Sequence, residues 1–470
     1  MSDALIQDLR ALIGAPHVLI GADLAPYCGD WTGHYTSAPC AVARPADTAQ
    51  VSAVVQACAR HGVPVVPVGG RTGLVGGAMT TGGLMLSLER LNRIRDIRTE
   101  ARVAVVEAGV ILAALQDAAA DHGLYFPLWF GARGSAMVGG ALSTNAGGSN
   151  VLRYGSTRAL CLGLEVVLAD GQVLNLMGAL HKDNSGYDLR DLFIGAEGTL
   201  GVITAAVMKL VPAAQAHATA MVALDNLPAA LTLLNRLQGE TGGLVEAFEY
   251  MPESYLRRLA EARPDLDPPF TPRPAIALLV ELGATAPRDC AAEPDGSLPL
   301  TSLLETVLAG ALEDGLIHDA HIARNEAQRR AMWHRRELAA EVSFARKPLI
   351  DTDIALPLDA VAPLLERFEA RLPDLDAGAE TLAIAHLGDG NIHLTIFPSH
   401  DAPDHADRIV ALLEHEVQTL GGTFSAEHGV GLSKKASMAR RKDPVALAVM
   451  RQIKQALDPQ NLMNPGKVLP

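Results

Sequence analysis

The sequence predicts an α+β protein in which one domain is interrupted by another, and three observations predict it. From residue 41 to about 212, short β-branched runs are separated by glycine clusters, the pattern of short strands joined by tight loops. After Pro212 the glycine clusters thin out and strands alternate with longer helices, as in a sheet with helices on one face. From about Gly421 glycine-rich motifs return, so the tail resembles the first domain more than the middle, and the middle reads as an insertion. The expected divisions are a helical N-terminal segment at 1–34, a glycine-rich domain at 35–213, a cap domain at 214–420, and a C-terminal segment at 421–470 that returns to the glycine-rich domain.

Leu5, Leu9, Leu12 and Ile13 stand at i, i+4, i+7 and i+8, an amphipathic helix with Ser2 and Asp3 as caps. Val51, Val54, Val55 and Cys58 mark a second helix, and 112–120 a third. Residues 63–68, 84–88, 103–107 and 164–168 read as strands, with Asp170-Gly171 a hairpin turn before Val173. In the middle, 220–224, 244–250, 275–282 and 317–323 read as strands, and 227–237, 300–312 and 325–342 as helices. Residues 265–274 and 288–299 are Pro-rich or polar loops, and 444–457 is a terminal helix.

At 470 residues the chain is long enough for several domains of roughly 100–200 residues each. Its 49% hydrophobic and 20% charged residues belong to an ordinary globular protein. A formal charge of −14 gives no general attraction for phosphate backbones or anionic membranes, so nucleic acid is not expected as a partner and a membrane surface is disfavoured, with Arg440, Arg441 and Lys442 as the local basic patch that would be the exception. Five scattered cysteines without a Cys-x-x-Cys pair argue against a disulfide framework or a zinc-thiolate site. No basic, apolar leader opens the chain and no run of about 18 apolar residues occurs. The expected location is therefore the cytoplasm, with no membrane span.

Glycine is the informative excess. The segment from Pro64 to Gly77 leaves a strand and places five glycines and Thr72 in its last nine residues. Glycine permits positive φ and close approach of a ligand to the main chain, and successive N–H groups form a nest that holds a diphosphate without any lysine. No GxxxxGK[ST] phosphate loop is present, and GxGxxG is not matched cleanly. Alone, this segment reads equally as a tight surface turn. A second, Gly131 to Gly148, carries six glycines with Ser135, Ser143, Thr144 and Asn145, followed by Arg153-Tyr154-Gly155. A third, Gly195 to Thr204, opens a strand. Three such loops exceed what turn chemistry requires and suit a large, flat, phosphate-bearing ligand wrapped by main chain.

These loops, their order and the terminal Asn464-Pro465-Gly466-Lys467 resemble the FAD-binding domain of the vanillyl-alcohol-oxidase type of flavoprotein. Over roughly residues 30–470 the chain is similar to the branch that holds D-2-hydroxyglutarate dehydrogenase, D-lactate dehydrogenase and the glycolate oxidase FAD subunit. The resemblance implies a vanillyl-alcohol-oxidase-type FAD-binding domain with an α+β cap (substrate) domain and a C-terminal helical segment. It implies that Val68, Gly69, Gly70, Arg71, Thr72, Gly73, Leu74, Gly76 and Gly77 hold the FAD pyrophosphate. Ser135, Gly139, Gly140, Asn145 and Gly148 would line the flavin, Ile203 would sit near the adenine end, and Asn464 would reach the isoalloxazine. Ser143 and Gly198 complete the cofactor-binding set. Relatives that tether FAD covalently use a histidine in or near the first loop. Arg71 stands among those glycines here, so FAD is expected to be non-covalent.

A second constellation lies near the end of the cap. Gly388-Asp389-Gly390-Asn391 reads as a four-residue hairpin loop between two apolar strands. With Leu387 facing Ile392, His386 lies directly opposite His393 on one sheet face, their Cβ atoms about 4.5–5.5 Å apart. One histidine on a strand is ordinarily a satisfied core residue; two brought together by a glycine-rich turn point to a divalent metal. Glu427-His428 would complete such a site, because a carboxylate and two neutral imidazoles suit zinc, with manganese or iron as alternatives. If that segment is a strand, Glu427 binds the metal while His428 points the other way and stays free. The resemblance agrees: His386, His393 and Glu427 match the family's metal ligands, and His428 its general base. Arg336 matches an arginine that binds the substrate carboxylate, for which bidentate guanidinium recognition gives the physical reason. Without the resemblance, Arg329, Arg330, Arg335 and Arg336 read equally as a solvated basic face.

These parts permit oxidation of an alcohol next to a carboxylate. A metal would chelate the 2-hydroxyl and carboxylate, and His428, with an unperturbed pKa of about 6.5, would accept the hydroxyl proton. The Cα hydrogen would leave as hydride to flavin N5, a carbanion route being the alternative. Against the pattern of D-2-hydroxyglutarate dehydrogenases, Ala340 replaces a threonine, Asp351 a lysine and Thr395 an asparagine. The expected substrate is therefore a small D-2-hydroxy acid, D-lactate-like or other, rather than strictly D-2-hydroxyglutarate, because Asp351 would repel a second carboxylate. Electrons would pass to an external acceptor, a quinone, an electron-transfer flavoprotein or a cytochrome. A homodimer is the default assembly. The rival readings are a flavin oxidase or non-redox flavoenzyme of the same fold, and a metallohydrolase built on the His/His/Glu set.

Overall fold

The structure, a computed structural model, describes residues 3–294 and 296–470; Ser2, expected as a cap, and Asp295, inside an expected loop, lie outside them. The chain divides into two units, one of Met1–Gly147, Gly155–Pro212 and Glu427–Pro470, the other of Gly148–Tyr154 and Ala213–Ala426. The inserted unit thus ends at Ala426 rather than near residue 420, and it captures Gly148–Tyr154, which the sequence assigns to the glycine-rich domain. The capture has a polar cause. Arg153 Nη1 donates to Glu246 Oε1 (2.8 Å) and to the Gly283 carbonyl (2.6 Å), and the Tyr154 hydroxyl donates to Glu246 Oε1 (2.6 Å). The N-terminal helix Asp3–Ile13 is part of the first unit rather than a separate segment. It buries Leu5, Leu9 and Ile13 and packs on Thr48–His61, where His61 Nε2 meets Asp8 Oδ2 at 2.9 Å.

The first unit holds two main sheets. One runs Val18–Leu19, Ala41–Ala43, Leu84–Ser87, Val65–Val68, the last three parallel. The other is antiparallel, in the order Ile94–Arg98, Val103–Glu107, Val202–Lys209, Cys161–Val167, Val173–Leu176. The C-terminal segment completes the first sheet's edge: the Val65 N–H donates to the Leu462 carbonyl and the Asn464 N–H to the Val65 carbonyl, each at 2.8 Å. All five cysteines are free.

The second unit is one antiparallel sheet of seven strands, in the order Asp319–Ile322, Ala216–Leu224, Ile276–Ala284, Val245–Pro252, Glu380–His386, Asn391–Phe397, Ile350–Ala355. Helices cover both faces, not one. On the first face, Ala220, Val222 and Leu224 pack with Leu233, Leu304, Phe368 and Leu413, contributed by Leu227–Thr241, Pro299–Glu313, Val361–Leu375 and Pro403–Thr419. The last two helices go beyond the elements read from the sequence. On the second face, Met221, Met251, Leu279, Leu382 and Phe397 pack with Tyr255, Leu259, Met332 and Val342. Both faces are therefore apolar enough to require cover, since strand side chains alternate. The helix expected at 325–342 is two, Glu326–Glu337 and Ala339–Phe344, broken at Leu338, where ψ is 1°. Among the described residues no helix is long and apolar enough to cross a membrane.

Candidate functional site

In the first unit the glycines of the first two loops fall into two groups, separated by what a Cβ would meet. At Gly70 it would stand 2.1 Å from the Ser135 carbonyl oxygen, at Gly139 2.6 Å from Ala108 Cβ, and at Gly76 2.9 Å from the Tyr35 ring. These glycines let loops and strands of the chain close on one another. At Gly73, Gly134 and Gly140 a Cβ would meet no atom of the chain, and φ at none of them is left-handed. The protein's own packing does not require glycine there, and these positions leave the main chain open to close approach by a ligand. Gly140 lies on Val138–Thr144, whose Ser143 hydroxyl donates to the Gly139 carbonyl (2.7 Å) and whose Asn145 cap takes φ 51°. Arg71 turns away from the loop, its guanidinium over the Tyr27 ring at 4.8 Å, and the indole N–H of Trp31 donates to the Thr72 carbonyl (3.2 Å). Gly198 backs onto Pro67, and Ile203 is buried within a strand. Gly148 falls in the other unit.

The tail is fastened to these loops by a residue that sequence reasoning missed. Glu197, buried between glycines, accepts from the Val430 and Gly431 N–H groups at 2.7 and 2.8 Å. Burial pushes its carboxyl up, and those two bonds pull against the rise. Asn464 donates through Nδ2 to the Gly77 carbonyl (2.9 Å) and the Glu197 carbonyl (2.7 Å). Its Oδ1 is buried without a partner, an acceptor whose satisfaction needs a donor from outside the chain. Open glycines and an orphaned acceptor in one unit fit a cofactor with a diphosphate and a ring N–H, as FAD has.

In the second unit, the hairpin brings His386 and His393 together by a different register from the expected one. His386 pairs with Asn391 and Ile384 with His393, so the loop is Leu387-Gly388-Asp389-Gly390 and the histidines are diagonal rather than opposite. Pairing reaches Asn391 because its side-chain amide is buried, donating to Asp353 Oδ1 (3.0 Å) and the Ile354 carbonyl (3.1 Å) on the neighbouring strand. A shift of two residues preserves the face, and the rings still meet edge-on at 5.3 Å between centroids.

Around them lies the polar end of the second sheet face. Glu249, fully buried, pairs with His386 across strands and holds its Nδ1 at 2.8 and 2.9 Å. Burial alone would raise the Glu249 carboxyl; the charges of His386 and Arg336 and hydrogen bonds from His386 and Ser149 outweigh it and hold it below the usual carboxylate range. Arg336 Nε stands 2.8 Å from Glu249 Oε2. That contact is an ion pair without an aligned hydrogen bond, and Nη2, also buried, has no hydrogen-bond partner. The four arginines of Glu326–Glu337 therefore split. Arg329 clamps Glu281 through Nε and Nη2 (2.7 and 2.8 Å) beside Trp333 Nε1 (2.8 Å), and Arg336 meets Glu249. Arg330 points to solvent, and Arg335 is held by the Asp267 carbonyl.

Asp353 pairs with His393 across strands, and the two offer ligand atoms within 4.8 Å of each other. Asp353 Oδ2 accepts from the Ala426 N–H (3.1 Å), the last residue of this unit. The chain then passes to Glu427 and His428, which lie in a bend rather than a strand. Alternation therefore does not separate them, and their ligand atoms fall within 4.8 Å of each other. Glu249 and Asp353 were missed by sequence reasoning, yet each carries a signal, a second carboxylate in a short strand, beside Glu246 in Val245–Pro252 and Asp351 in Ile350–Ala355.

Comparison with known proteins supports the same architecture. Residues 39–177 match the FAD binding domain family, and residues 213–468 match the C-terminal domain of FAD linked oxidases. The chain is 36% identical to D-2-hydroxyglutarate dehydrogenase of Xanthomonas citri pv. viticola, with 100% of this chain and 97% of the relative covered. It is 35% identical to the mitochondrial D-2-hydroxyglutarate dehydrogenase of Bos taurus, over 95% of this chain and 80% of that protein. Among solved structures, p-cresol methylhydroxylase with substrate bound shares the fold at a TM-score of 0.73 and 18% identity, over 99% of this chain and 96% of that one.

Proposed function

Because the chain belongs to the FAD-linked oxidases, in the branch of FAD-dependent D-2-hydroxy acid dehydrogenases and with the vanillyl-alcohol-oxidase-type fold, we propose that it oxidises a small D-2-hydroxy acid to the 2-oxo acid with the help of a divalent metal and passes the electrons to an external acceptor. The observation that carries this reading is the polar sheet end, where two histidines share a face with an arginine whose buried Nη2 lacks a partner. FAD, when bound, supplies the two-electron acceptor, and a divalent ion, zinc by the donor set, supplies Lewis acidity. His386, His393 and Glu427 hold that ion. Arg336 binds the substrate carboxylate through Nη2, charge-assisted in a dry surrounding. His428 accepts the 2-hydroxyl proton at an imidazole nitrogen near neutral pH.

The finer substrate reading rests on Asp351. It pairs with Thr395 on the edge strand, two residues from Asp353 and thus on the His393 face, and it is exposed. A second carboxylate reaching that edge would meet a like charge, which favours D-lactate-like acids over the five-carbon dicarboxylate. Anaerobic mixing of the FAD-loaded protein with D- and L-2-hydroxy acids tests both levels. The flavin should bleach with D-lactate faster than with D-2-hydroxyglutarate and not with the L acids. The reverse order for the two D acids removes the Asp351 argument, and no bleaching by any of them removes the dehydrogenase reading. His428→Ala should keep the flavin absorbance and slow bleaching by about 10²–10⁴-fold.

A further inference from the structure

Glu249 has no part in the chemistry so far, yet it is the point where the histidine hairpin and the arginine helix meet. We propose that Glu249 is a positioning residue: it holds His386 as the Nδ1–H tautomer, with the lone pair on Nε2, and its one charge is shared with Arg336, whose Nη2 is left for an anion. This rests on the reading of His386 as a metal ligand and Arg336 as a carboxylate binder.

A fully buried carboxylate on the sheet face that carries Met251, Leu279 and Ile384 is retained in a fold only when it is paired. Both Glu249 oxygens lie within hydrogen-bond distance of His386 Nδ1. An ionised carboxylate has no proton to give, so the imidazole must donate from Nδ1. In the neutral ring Nε2 then carries the lone pair, the form in which an imidazole binds a metal, and an acceptor behind a ligating histidine fixes its orientation and raises its basicity. The cross-strand pairing of Glu249 with His386 sets this geometry through the main chain. Arg336 cannot swing away to relieve Glu249. Its helix is tied to the sheet one and two turns earlier by Trp333 and Arg329 on Glu281. The single negative charge thus serves one imidazole N–H and one guanidinium, and Nη2 keeps its hydrogens unclaimed.

The experiment uses the full FAD-loaded chain, stripped of metal by a chelator and labelled with ¹⁵N-histidine, at pH 8. His386 resonances are identified by their loss in His386→Ala. Wild type should show His386 with the proton on Nδ1 and a bare Nε2. In Glu249→Leu, of similar bulk but without an acceptor, the tautomer should shift towards Nε2–H and the zinc dissociation constant should rise about 10–100-fold. Glu249→Gln, which keeps the shape and an acceptor, guards against misfolding; it should retain Nδ1–H and weaken zinc by less. An Nε2–H tautomer in wild type overturns the proposal. So does an unchanged tautomer in a folded Glu249→Leu, or zinc binding in Glu249→Gln that is weaker than in Glu249→Leu. If wild type shows Nδ1–H but takes up no zinc, the metal reading falls while the positioning role of Glu249 stands on the tautomer.

Discussion

The glycine loops of the first unit and the polar sheet end of the second solve opposite problems. The loops offer a ligand bare main chain, with Arg71 turned aside and Gly73, Gly134 and Gly140 left open. The sheet end offers side-chain charge: Glu249, Glu281 and Asp353 are buried carboxylates, each tied to a cation or an amide. A main-chain cradle tolerates substitution of neighbouring side chains but not of its glycines. A buried charge network tolerates little, because removing one partner strands the other. Cofactor retention and substrate turnover should therefore be separable by mutation.

The sharpest way to break it is Arg336→Met. Loss of a buried charged contact costs roughly 2–5 kcal/mol, so kcat/KM for the hydroxy acid should fall by about two to three orders of magnitude, with the flavin spectrum unchanged. A variant that instead loses FAD would show that the polar sheet end also serves the cofactor.

Glu246→Gln probes the other carboxylate of the same strand. Burial would raise the Glu246 carboxyl, but bonds from His217 and Tyr154 and the charges of His217 and Arg153 lower it below the usual range. A carboxyl lowered on folding contributes stability that is complete above its unfolded pKa of about 4.3 and is lost as pH falls through the folded value. The variant should therefore be less stable at pH 7 by about 3 kcal/mol, with the gap to wild type closing below about pH 4 in denaturant titrations. A gap independent of pH would mean that shape, not charge, holds Gly148–Tyr154 in place.

The smallest effects separate the two kinds of glycine. Gly140→Val should leave the melting temperature of the FAD-free protein near wild type and weaken FAD at least about tenfold, or ~1.4 kcal/mol, by fluorescence titration. Gly70→Ala, which drives a Cβ towards the Ser135 carbonyl, should lower stability by about 1–3 kcal/mol before any cofactor is added. Equal behaviour of the two would erase the distinction drawn between open and packed glycines.

Much of this was legible in the chain. The glycine loops announced a cofactor because glycine at that density has few other uses, and the hairpin announced paired histidines because strand side chains repeat every second residue. The strand stretches of the cap stood out for the same reason. The register did not follow from the turn residues, because Asn391 joins the ladder through bonds to Asp353 and Ile354 on a third strand. The excursion of Gly148–Tyr154 was also hidden, since nothing local in Arg153-Tyr154 says that both will find Glu246, more than ninety positions away.

By itself the sequence determined the α+β class and the FAD-binding domain, and it marked out the glycine loops and His386, His393, Glu427, His428 and Arg336 as the residues to examine. Periodicity and residue chemistry are local properties and survive without coordinates. Only the tertiary structure decided that helices cover both sheet faces, that the histidines are diagonal, and that Glu249 stands between His386 and Arg336. A buried carboxylate acquires its meaning from the partners that make burial tolerable, and those partners come from strands and helices far apart in the chain.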